Sequence, residues 1–350
     1  MAVERLLQKL NAEHRLSLDE YEVLLRDLND DLRAEAARLA DDARREVFGT
    51  DVYIRGLIEL TSYCRNDCLY CGLRRSNAHA ERYRLTQEEV LSCCANGYAL
   101  GFRTFVLQGG EDAWFTDDVL VPLVRTIRET YPDCAITLSL GERSTESYQA
   151  LFDAGADRYL LRHETADAGL YATLHPAELS WQHRMDCLNE LKRIGFQTGC
   201  GFMVGSPGQT PEMLAKDLFF VQEFRPAMCG IGPFLPHKDT PFANEPAGSL
   251  EMTLFLLSLL RLIKPDLLLP ATTALGTLHP EGRERGLLAG ANVIMPNLSP
   301  AEVREKYMLY NNKLHTGVES AEGLDALRAR VYDVGYHITS SRGDSPDFSL

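Results

Sequence analysis

The chain has 350 residues, 45% of them hydrophobic, which is enough for one large core but too few for two enzyme-sized domains. A formal net charge of -14 disfavours nucleic acid as a partner, because its phosphate backbone is also anionic. No apolar run approaches the ~20 residues that cross a bilayer, and the amino terminus carries no signal-peptide block. We therefore expect a cytoplasmic protein that binds neither nucleic acid nor a membrane.

The first part of the chain is predicted to be helical. Ser17 is suited to cap a helix, and Glu20 is placed to complete a capping box with it. We therefore assign residues 1-48 to an N-terminal helical extension of the main domain.

From residue 52 onward, short apolar runs alternate with longer amphipathic segments, a pattern typical of βα units around a parallel sheet. Eight strands are predicted, at residues 52–60, 103–108, 134–139, 157–162, 196–204, 227–232, 265–270 and 291–295. Eight such units indicate an α/β fold of the (βα)8 TIM-barrel type over residues 49-300. For residues 301-350 we predict a C-terminal helical cover, with Tyr307 and Tyr310 on a helix, and a flexible tail from Ser340.

Polar and glycine-rich residues concentrate directly after the predicted strands. Gly109 to Asp112 follow the second strand, Leu140-Gly141-Glu142 follow the third, and Gly205 to Gly208 follow the fifth. The carboxyl ends of parallel barrel strands meet on one face, where barrel enzymes place their active sites. We expect the functional site on that face.

Three cysteines follow the first predicted strand with the spacing C-x3-C-x2-C: Cys64, Cys68 and Cys71. Short spacings let one loop bind three corners of a cubane, and thiolates are preferred ligands of iron. Three cysteines leave the fourth iron with an exchangeable position, as a reactive cluster requires. The pattern therefore predicts one [4Fe-4S] cluster with three cysteine ligands.

Two other readings of this motif are weaker. A zinc knuckle needs a fourth nearby ligand, and His79 lies eight residues beyond Cys71. An electron-transfer ferredoxin needs a fourth cysteine and has no large barrel.

The remaining cysteines are predicted to be reduced thiols. The total of nine is odd and the spacing is uneven, which argues against a disulfide framework. These six lie within predicted helices or apolar segments and are expected to pack as small hydrophobic residues: Cys93, Cys94, Cys134, Cys187, Cys200 and Cys229.

With Tyr70 before its third cysteine, the motif resembles that of the radical S-adenosylmethionine (SAM) superfamily. A set of segments between about residues 50 and 310 narrows the resemblance to the HydE family of [FeFe]-hydrogenase maturases: Asn66-Asp67-Cys68-Leu69-Tyr70-Cys71-Gly72-Leu73-Arg74-Arg75, Gln108-Gly109-Gly110-Glu111-Asp112, Leu161-Arg162-His163-Glu164-Thr165, Gly230-Ile231-Gly232-Pro233-Phe234, Pro270-Ala271-Thr272-Thr273-Ala274 and Ile294-Met295-Pro296-Asn297. The cysteine motif is common to the superfamily, whereas the combination is specific to HydE and close relatives.

The resemblance implies a second cofactor, SAM, cleaved reductively to a 5′-deoxyadenosyl radical. By resemblance, the residues that hold SAM are Tyr70, Gln108, Gly109, Gly110, Glu111, Ser139, Glu164, Arg184 and Leu235. Their chemistry fits, because carboxylates and carbonyls suit the ammonium and ribose groups and a guanidinium suits the carboxylate.

The resemblance also implies a substrate pocket deeper in the barrel. The matching positions are Arg55, Thr137, Arg162, Met203, Met228, Thr272, Thr273, Met295, Tyr307 and Tyr310. Two guanidinium groups call for an anionic guest, and several methionines give an adaptable wall for a sulfur-containing ligand or metal complex.

In the HydE family the radical attacks the sulfur of a cysteinate bound to Fe(CO)2(CN), a precursor of the hydrogenase H-cluster. The resemblance therefore implies a small organometallic or sulfur-containing substrate, a one-electron reductant, and the other hydrogenase maturases as partners. Many family members carry extra cysteines near the carboxyl terminus, but no cysteine follows Cys229 here, so a single cluster is expected.

Two alternative functions remain open from the sequence. One is a biotin-synthase-like or methylornithine-synthase-like radical SAM enzyme acting on a small organic molecule. Biotin synthesis is disfavoured, because Gly109 to Asp112 supply carboxylates where that enzyme places a cysteine. The other is a non-enzymatic iron-sulfur carrier or scaffold, which reductive formation of 5′-deoxyadenosine would exclude.

Overall fold

Three helices precede the first strand in the computed structural model, which describes residues 2–348. They are α1 (Ala2–Glu13), α2 (Leu18–Arg26) and α3 (Asp30–Phe48). The Ser17 hydroxyl accepts a hydrogen bond from the N–H of Glu20, and the Glu20 carboxylate accepts one from the N–H of Ser17. The predicted capping box is therefore confirmed. Met1, the first residue of the predicted extension, lies outside the described residues.

The strands that follow form a parallel barrel. They are β1 (Asp51–Ile54), β2 (Gly56–Thr61), β3 (Thr104–Gly109), β4 (Ala135–Ser139), β5 (Arg158–Leu160), β6 (Gln197–Cys200), β7 (Met203–Val204), β8 (Met228–Cys229), β9 (Gly232–Pro233) and β10 (Val293–Ile294). One run of neighbours is β2-β3-β4-β5-β6-β8, and β10 pairs with β1. Parallel bridges from Met228 to Leu268 and from Pro270 to Val293 complete the circuit. The predicted TIM-type α/β barrel is confirmed.

Helices surround the barrel: α4 (Gln87–Ala99), α5 (Asp117–Thr130), α6 (Thr145–Asp153), α7 (Ala168–Leu174), α8 (Trp181–Ile194), α9 (Pro211–Phe224), α10 (Leu250–Ile263), α11 (Thr273–Leu278) and α12 (Gly282–Leu288). The N-terminal extension packs outside this layer, with α2 on α9 and α3 on α10. Because α10 is covered on both sides, almost its whole length is buried and apolar. None of the helices within residues 2–348 is long and apolar enough to cross a membrane.

Two barrel strands differ from the prediction. The first predicted strand is divided at Arg55, because β1 pairs with β10 while β2 pairs with β3. The seventh predicted strand, 265–270, forms only isolated bridges. Pro270 lies at its end and has no N–H with which to extend a ladder.

The carboxyl-terminal region begins with α13 (Ala301–Arg304) and continues through α14 (Leu324–Asp333) to β11 (His337–Thr339), which pairs with β1. The predicted helix through Tyr307 and Tyr310 is absent, because α13 ends at Arg304. The segment that carries both tyrosines instead lies across neighbouring loops, where the Leu309 carbonyl accepts a hydrogen bond from the Gly72 N–H at 2.8 Å.

The sequence predicts a flexible tail from Ser340, whereas the structure packs residues 340–348 against the amino-terminal ends of the barrel strands. The Arg158 guanidinium, fully buried, donates to the Arg342 carbonyl at 2.7 Å and to the Asp344 carboxylate at 2.6 Å. These charge-assisted bonds fix the tail below the barrel. Residues 349 and 350, also part of that prediction, lie outside the described residues.

Candidate active site

The cysteine loop leaves the carboxyl end of β2 and is fastened by backbone hydrogen bonds to its neighbours. The Arg65 N–H donates to the Glu111 carbonyl at 2.8 Å, and the Leu69 N–H donates to the Leu174 carbonyl at 2.9 Å. Gly110 makes this arrangement possible, because a Cβ there would lie 2.2 Å from the Tyr63 carbonyl oxygen. The loop thus lies directly on the end of β3.

The three thiols of the loop are free and suited to become thiolate ligands of a bound metal group. Burial raises the pKa of Cys64, raises that of Cys71 to about 12, and raises that of Cys68 well above its usual range. Repulsion from neighbouring thiolates adds to the shifts of Cys68 and Cys71, and the Glu111 carboxylate adds to that of Cys64. A bound cationic metal group reverses this effect, because it stabilises the deprotonated ligands.

Within residues 2–348, no three His, Cys, Asp or Glu side chains converge closely enough to hold one metal ion. A cubane needs no such convergence, since each of its irons takes its own thiolate. The donor set fits a [4Fe-4S] cluster held by Cys64, Cys68 and Cys71.

Beside the cysteine loop lies an ionic network of four side chains, Arg65, Glu111, Glu142 and Arg184. The Arg184 Nε donates to Glu142 Oε1 at 2.6 Å, and its Nη2 lies 3.8 Å from Glu111 Oε1. Arg65 Nη2 lies 3.1 Å from Glu111 Oε2. Burial lowers the pKa of Arg184, but Glu142, Tyr171 and Glu111 together raise it by more, so this guanidinium stays charged.

The ionic network places a carboxylate and a guanidinium side by side. Glu111 is suited to an ammonium group and Arg184 to a carboxylate, the two charges of an amino acid. The methionyl part of SAM carries both. The network therefore fits the roles expected for these two residues.

Glu164 lies four residues after the end of β5, in a left-handed backbone conformation with φ of +64°. Hydrogen bonds across to the next strand hold it there: its N–H donates to the Gly201 carbonyl at 3.0 Å, and its carbonyl accepts from the Met203 N–H at 3.1 Å. Its Oε2 lies 3.1 Å from Arg162 Nη2 but makes no hydrogen bond within the described chain. A strained backbone conformation persists only where the surrounding structure enforces it. Here it leaves the Glu164 Oε2 as an acceptor for a ligand.

The other predicted SAM residues lie around this centre. Tyr70 packs in an apolar cluster with Met203 and Phe234, and its hydroxyl lies 3.2 Å from His175 Nε2. Gln108 and Ser139 face each other in register on β3 and β4. Leu235 is half-buried and follows β9. Met203, predicted for the substrate pocket, thus belongs to the cluster beside Tyr70.

Four predicted substrate residues line a small cavity of about 20 Å³ inside the barrel: Arg55, Thr137, Met228 and Met295. Arg55 is buried, and its Nη1 lies 3.0 Å from the Met228 sulfur. Its Nε and Nη2, like the Thr137 hydroxyl, have no hydrogen-bond partner among residues 2–348. Burial and the nearby Arg158 lower the pKa of Arg55 well below its usual value.

The remaining predicted substrate residues lie higher, near the cover. Arg162 follows β5; its Nε and Nη2 make no hydrogen bond in the described chain, and Nη2 is ion-paired with Glu164 at 3.1 Å. Thr272 leaves its hydroxyl unpartnered, whereas Thr273 donates to Glu319 at 2.8 Å. Tyr307 accepts a 3.5 Å hydrogen bond from Gln108, and burial raises the pKa of Tyr310. The predicted pocket therefore divides into a deep group and an upper group.

Several residues of the site were missed by the sequence reasoning. Glu142 joins the ionic network, and only its place directly after Gly141 at a strand end could have indicated it. Glu59 and Lys313 form a buried ion pair at 2.8 Å between β2 and the cover. Their separation of 254 residues gives no local signal.

Comparisons with known proteins agree with this geometry. The sequence profile of the radical SAM superfamily matches residues 58–221. The chain is 48% identical to the [FeFe] hydrogenase maturase subunit HydE of Thermotoga maritima over 79% of each chain. It is 28% identical to the 3-methylornithine synthase of Methanosarcina acetivorans over 83% of this chain and 82% of that protein.

Two solved structures have similar folds. Methylornithine synthase superposes with a TM-score of 0.82 and 25% identity, covering 95% of this chain and 97% of that one. HydG, a maturase of the [FeFe]-hydrogenase, superposes with a TM-score of 0.79 and 20% identity, covering 97% of this chain and 76% of that one. The second likeness bears on the fold alone.

Proposed function

Since the chain belongs to the HydE family of radical SAM enzymes, we propose that it acts in assembly of the [FeFe]-hydrogenase H-cluster. The proposed substrate is a cysteinate-bound Fe(CO)2(CN) complex, whose sulfur is the target of the adenosyl radical. The observation that carries this proposal is the deep cavity directly inside a radical SAM barrel, where Arg55 has unpartnered donors next to two methionine side chains.

The cofactors are a [4Fe-4S] cluster and SAM. When bound, they supply reductive cleavage of the sulfonium bond to a 5′-deoxyadenosyl radical. Cys64, Cys68 and Cys71 are proposed to hold a single cluster. Arg184 and Glu111 are proposed to orient the methionyl carboxylate and ammonium, and Glu164 to accept hydrogen bonds from the ribose hydroxyls.

The deep cavity supports an anionic guest. A guanidinium that is buried without a counter-ion is costly, and an anion with several acceptor atoms relieves that cost. The Thr137 hydroxyl offers another donor, while Met228 and Met295 give a polarisable, adaptable wall. A small complex that carries cyanide and carboxylate groups matches this combination of charge and softness, and the adaptable methionine side chains must move to admit it, because the cavity volume is about 20 Å³.

The proposal includes a cytoplasmic location, a one-electron reductant and contact with the other hydrogenase maturases. All nine cysteines are free thiols, which supports a reducing compartment. The relative that bears on the maturation context is the [FeFe] hydrogenase maturase subunit HydE of Thermotoga maritima.

The test is anaerobic turnover of the cluster-loaded protein with dithionite and SAM, with and without the cysteinate iron dicarbonyl cyanide complex. We expect an adenosylated sulfur product by mass spectrometry only when the complex is present. If 5′-deoxyadenosine forms but the complex is untouched, the enzyme acts on another substrate, and an organic molecule is the next candidate. If a cluster-loaded sample does not cleave SAM, the carrier or scaffold function replaces the enzyme.

A further inference from the structure

The segment that follows α13 lies over the mouth of the barrel. We define the cover segment as residues 305–313, which include Tyr307 and Tyr310. No helix or strand forms within it, so contacts with other parts of the chain fix its position. One contact is a backbone hydrogen bond of 3.0 Å from the Asn311 N–H to the Pro236 carbonyl, in the loop after β9. A second contact reaches a barrel strand, through an ion pair at the end of the segment.

The partner in that ion pair is the Glu59 carboxylate on β2, and both of its oxygens are bonded. Oε1 accepts a hydrogen bond from Lys313 Nζ at 2.8 Å, and Oε2 accepts one from Asn297 Nδ2 at 2.8 Å. Glu59 is fully buried and Lys313 is 7% exposed, so water compensates neither charge. The pair holds the cover segment firmly, because removing one partner leaves the other charge buried and uncompensated.

Strand register places Glu59 at the level of the proposed SAM residues. Glu59 lies opposite Gln108 on β3, and Gln108 lies opposite Ser139 on β4. Residues in register on neighbouring parallel strands point to the same face of the sheet. Lys313 therefore reaches this level from the cover. Its ammonium lies 5.1 Å from the ring centroid of Tyr307, within the range of a cation–π contact.

The Glu59 carboxylate also acts on both tyrosines of the cover segment. Burial is the main cause that raises the pKa of Tyr307 and of Tyr310, and the negative charge of Glu59 adds to each shift. The ion pair thus lies beside both tyrosines, which belong to the upper group of the predicted substrate pocket.

We infer that Glu59 and Lys313 are positioning residues for the substrate, because their ion pair sets where Tyr307 and Tyr310 lie above the deep cavity. This inference rests on the proposed function, since it concerns the substrate of that site. Neither member of the pair needs to touch the substrate, because both act through the tyrosines. A displacement of about 1 Å in a group that contacts substrate can cost ~100-fold in rate, so the attachment matters to the reaction.

The test uses Lys313→Met in the cluster-loaded protein, with Lys306→Met as the matched control. Lys306 lies on the same segment, but its partner Glu81 is 68% exposed, so that pair is at the surface. Lys313→Arg keeps the charge and serves as the conservative variant. Should Lys313→Met fail to fold because Glu59 is left uncompensated, the double variant Glu59→Gln/Lys313→Met removes both charges and takes its place.

The first readout is a pair of dissociation constants, one for SAM and one for the cysteinate iron dicarbonyl cyanide complex. We expect Lys313→Met to weaken binding of the complex about tenfold and to leave SAM binding unchanged. Lys313→Arg should recover most of the affinity, and Lys306→Met should bind both ligands as the unaltered protein does. Equal affinity of Lys313→Met and Lys306→Met for the complex overturns the inference. A parallel loss of SAM and complex also overturns it, since that is general damage to the fold.

The second readout is hydrogen exchange of the Asn311 amide, which needs no substrate. We expect exchange about tenfold faster in Lys313→Met, because the cover segment loses its attachment to β2, and no change in Lys306→Met. Unchanged exchange in Lys313→Met overturns the inference. If the unaltered protein binds SAM but not the complex, the proposed function fails, and the exchange measurement still decides whether the ion pair fixes the cover segment.

Discussion

The rim of the barrel and the cavity below it each bury an arginine, but in opposite states. At the rim, Arg184 lies between Glu142 and Glu111, so its charge is matched by the protein itself. In the cavity, the Arg55 guanidinium makes one hydrogen bond within residues 2–348, to the Met228 sulfur, and its other two nitrogens have no hydrogen-bond partner there. The rim is therefore organised before any ligand arrives, whereas the cavity is completed by its guest.

The two arginines are expected to affect the free energy of unfolding differently. A paired buried charge is destabilising to break, because its removal leaves the partner charge uncompensated. An unpaired buried charge destabilises the folded state, so its removal raises the free energy of unfolding. Opposite effects on stability are therefore expected from the same substitution at the two arginines.

The largest effect on activity is expected from a substitution in the cysteine loop, because cleavage of SAM bound at the rim requires the cluster. The change Cys68→Ala removes one of three iron ligands, so we expect iron content and SAM cleavage to fall to background. The matched control is Cys93→Ala, which removes a buried thiol in the middle of α4. Iron analysis and visible absorbance check the outcome. Equal iron content in both variants would contradict the ligand assignment.

The next largest effect is expected from a substitution that disrupts the ionic network at the rim. The change Arg184→Met leaves Glu142 and Glu111 buried without their shared partner, and we expect a loss of about 3–5 kcal/mol in the free energy of unfolding. Denaturant titration measures it. The variant Arg184→Lys keeps the charge but loses the planar fork, so a smaller loss is expected. A loss below 1 kcal/mol in Arg184→Met, within the ~0–1 kcal/mol of a surface pair, would mean that the network is not a buried one.

In the cavity, the same substitution is expected to change the free energy of unfolding in the opposite direction. We expect Arg55→Met to raise the free energy of unfolding by about 1–4 kcal/mol, because an apolar side chain of similar length replaces an uncompensated charge. Arg55→Lys, which keeps the charge, serves as the control and should give no gain. A destabilised Arg55→Met variant would show that the guanidinium is already satisfied without a guest.

The smallest effect concerns the floor of the cavity, where Asp344 fastens the tail. Burial raises the pKa of Asp344, but Arg158 and Arg342 lower it by more, to about 2. Because the folded pKa lies below the ordinary value, the pair stabilises the tail above about pH 4 and loses that effect as pH falls toward 2. The contribution is about 2 kcal/mol.

Hydrogen exchange of residues 337–348, corrected for intrinsic rates, measures this loss. The variant Asp344→Asn should show weak protection of the tail at every pH and no step between pH 4 and 2. A step of unchanged size in that variant would assign the acid sensitivity to another carboxylate.

Features that depend on a few neighbouring residues could be predicted from the sequence. The cysteine spacing and the Ser17–Glu20 capping box depend on a few neighbouring residues, and both patterns could be recognised without a structure. The eight βα units were also predictable, since apolar runs alternate with amphipathic segments. The break at Arg55 was not, because it depends on which strands lie on either side.

Contacts between distant segments could not be predicted in this way. Glu59 is paired with Lys313 across 254 residues, and neither residue has a distinctive local context. The tail after Ser340 looks polar and featureless, yet Arg158 and Lys264 supply it with buried partners. Composition predicts disorder there, but the charges that order the segment come from elsewhere in the fold.

The most direct test of the comparison measures two dissociation constants in each of two cluster-loaded variants, Arg55→Met and Arg184→Lys. One is for SAM and the other for the cysteinate iron dicarbonyl cyanide complex. We predict that Arg184→Lys weakens SAM binding and keeps the complex, while Arg55→Met keeps SAM and loses the complex. If Arg55→Met binds the complex as tightly as the unaltered protein, the cavity is not its site and the account is contradicted.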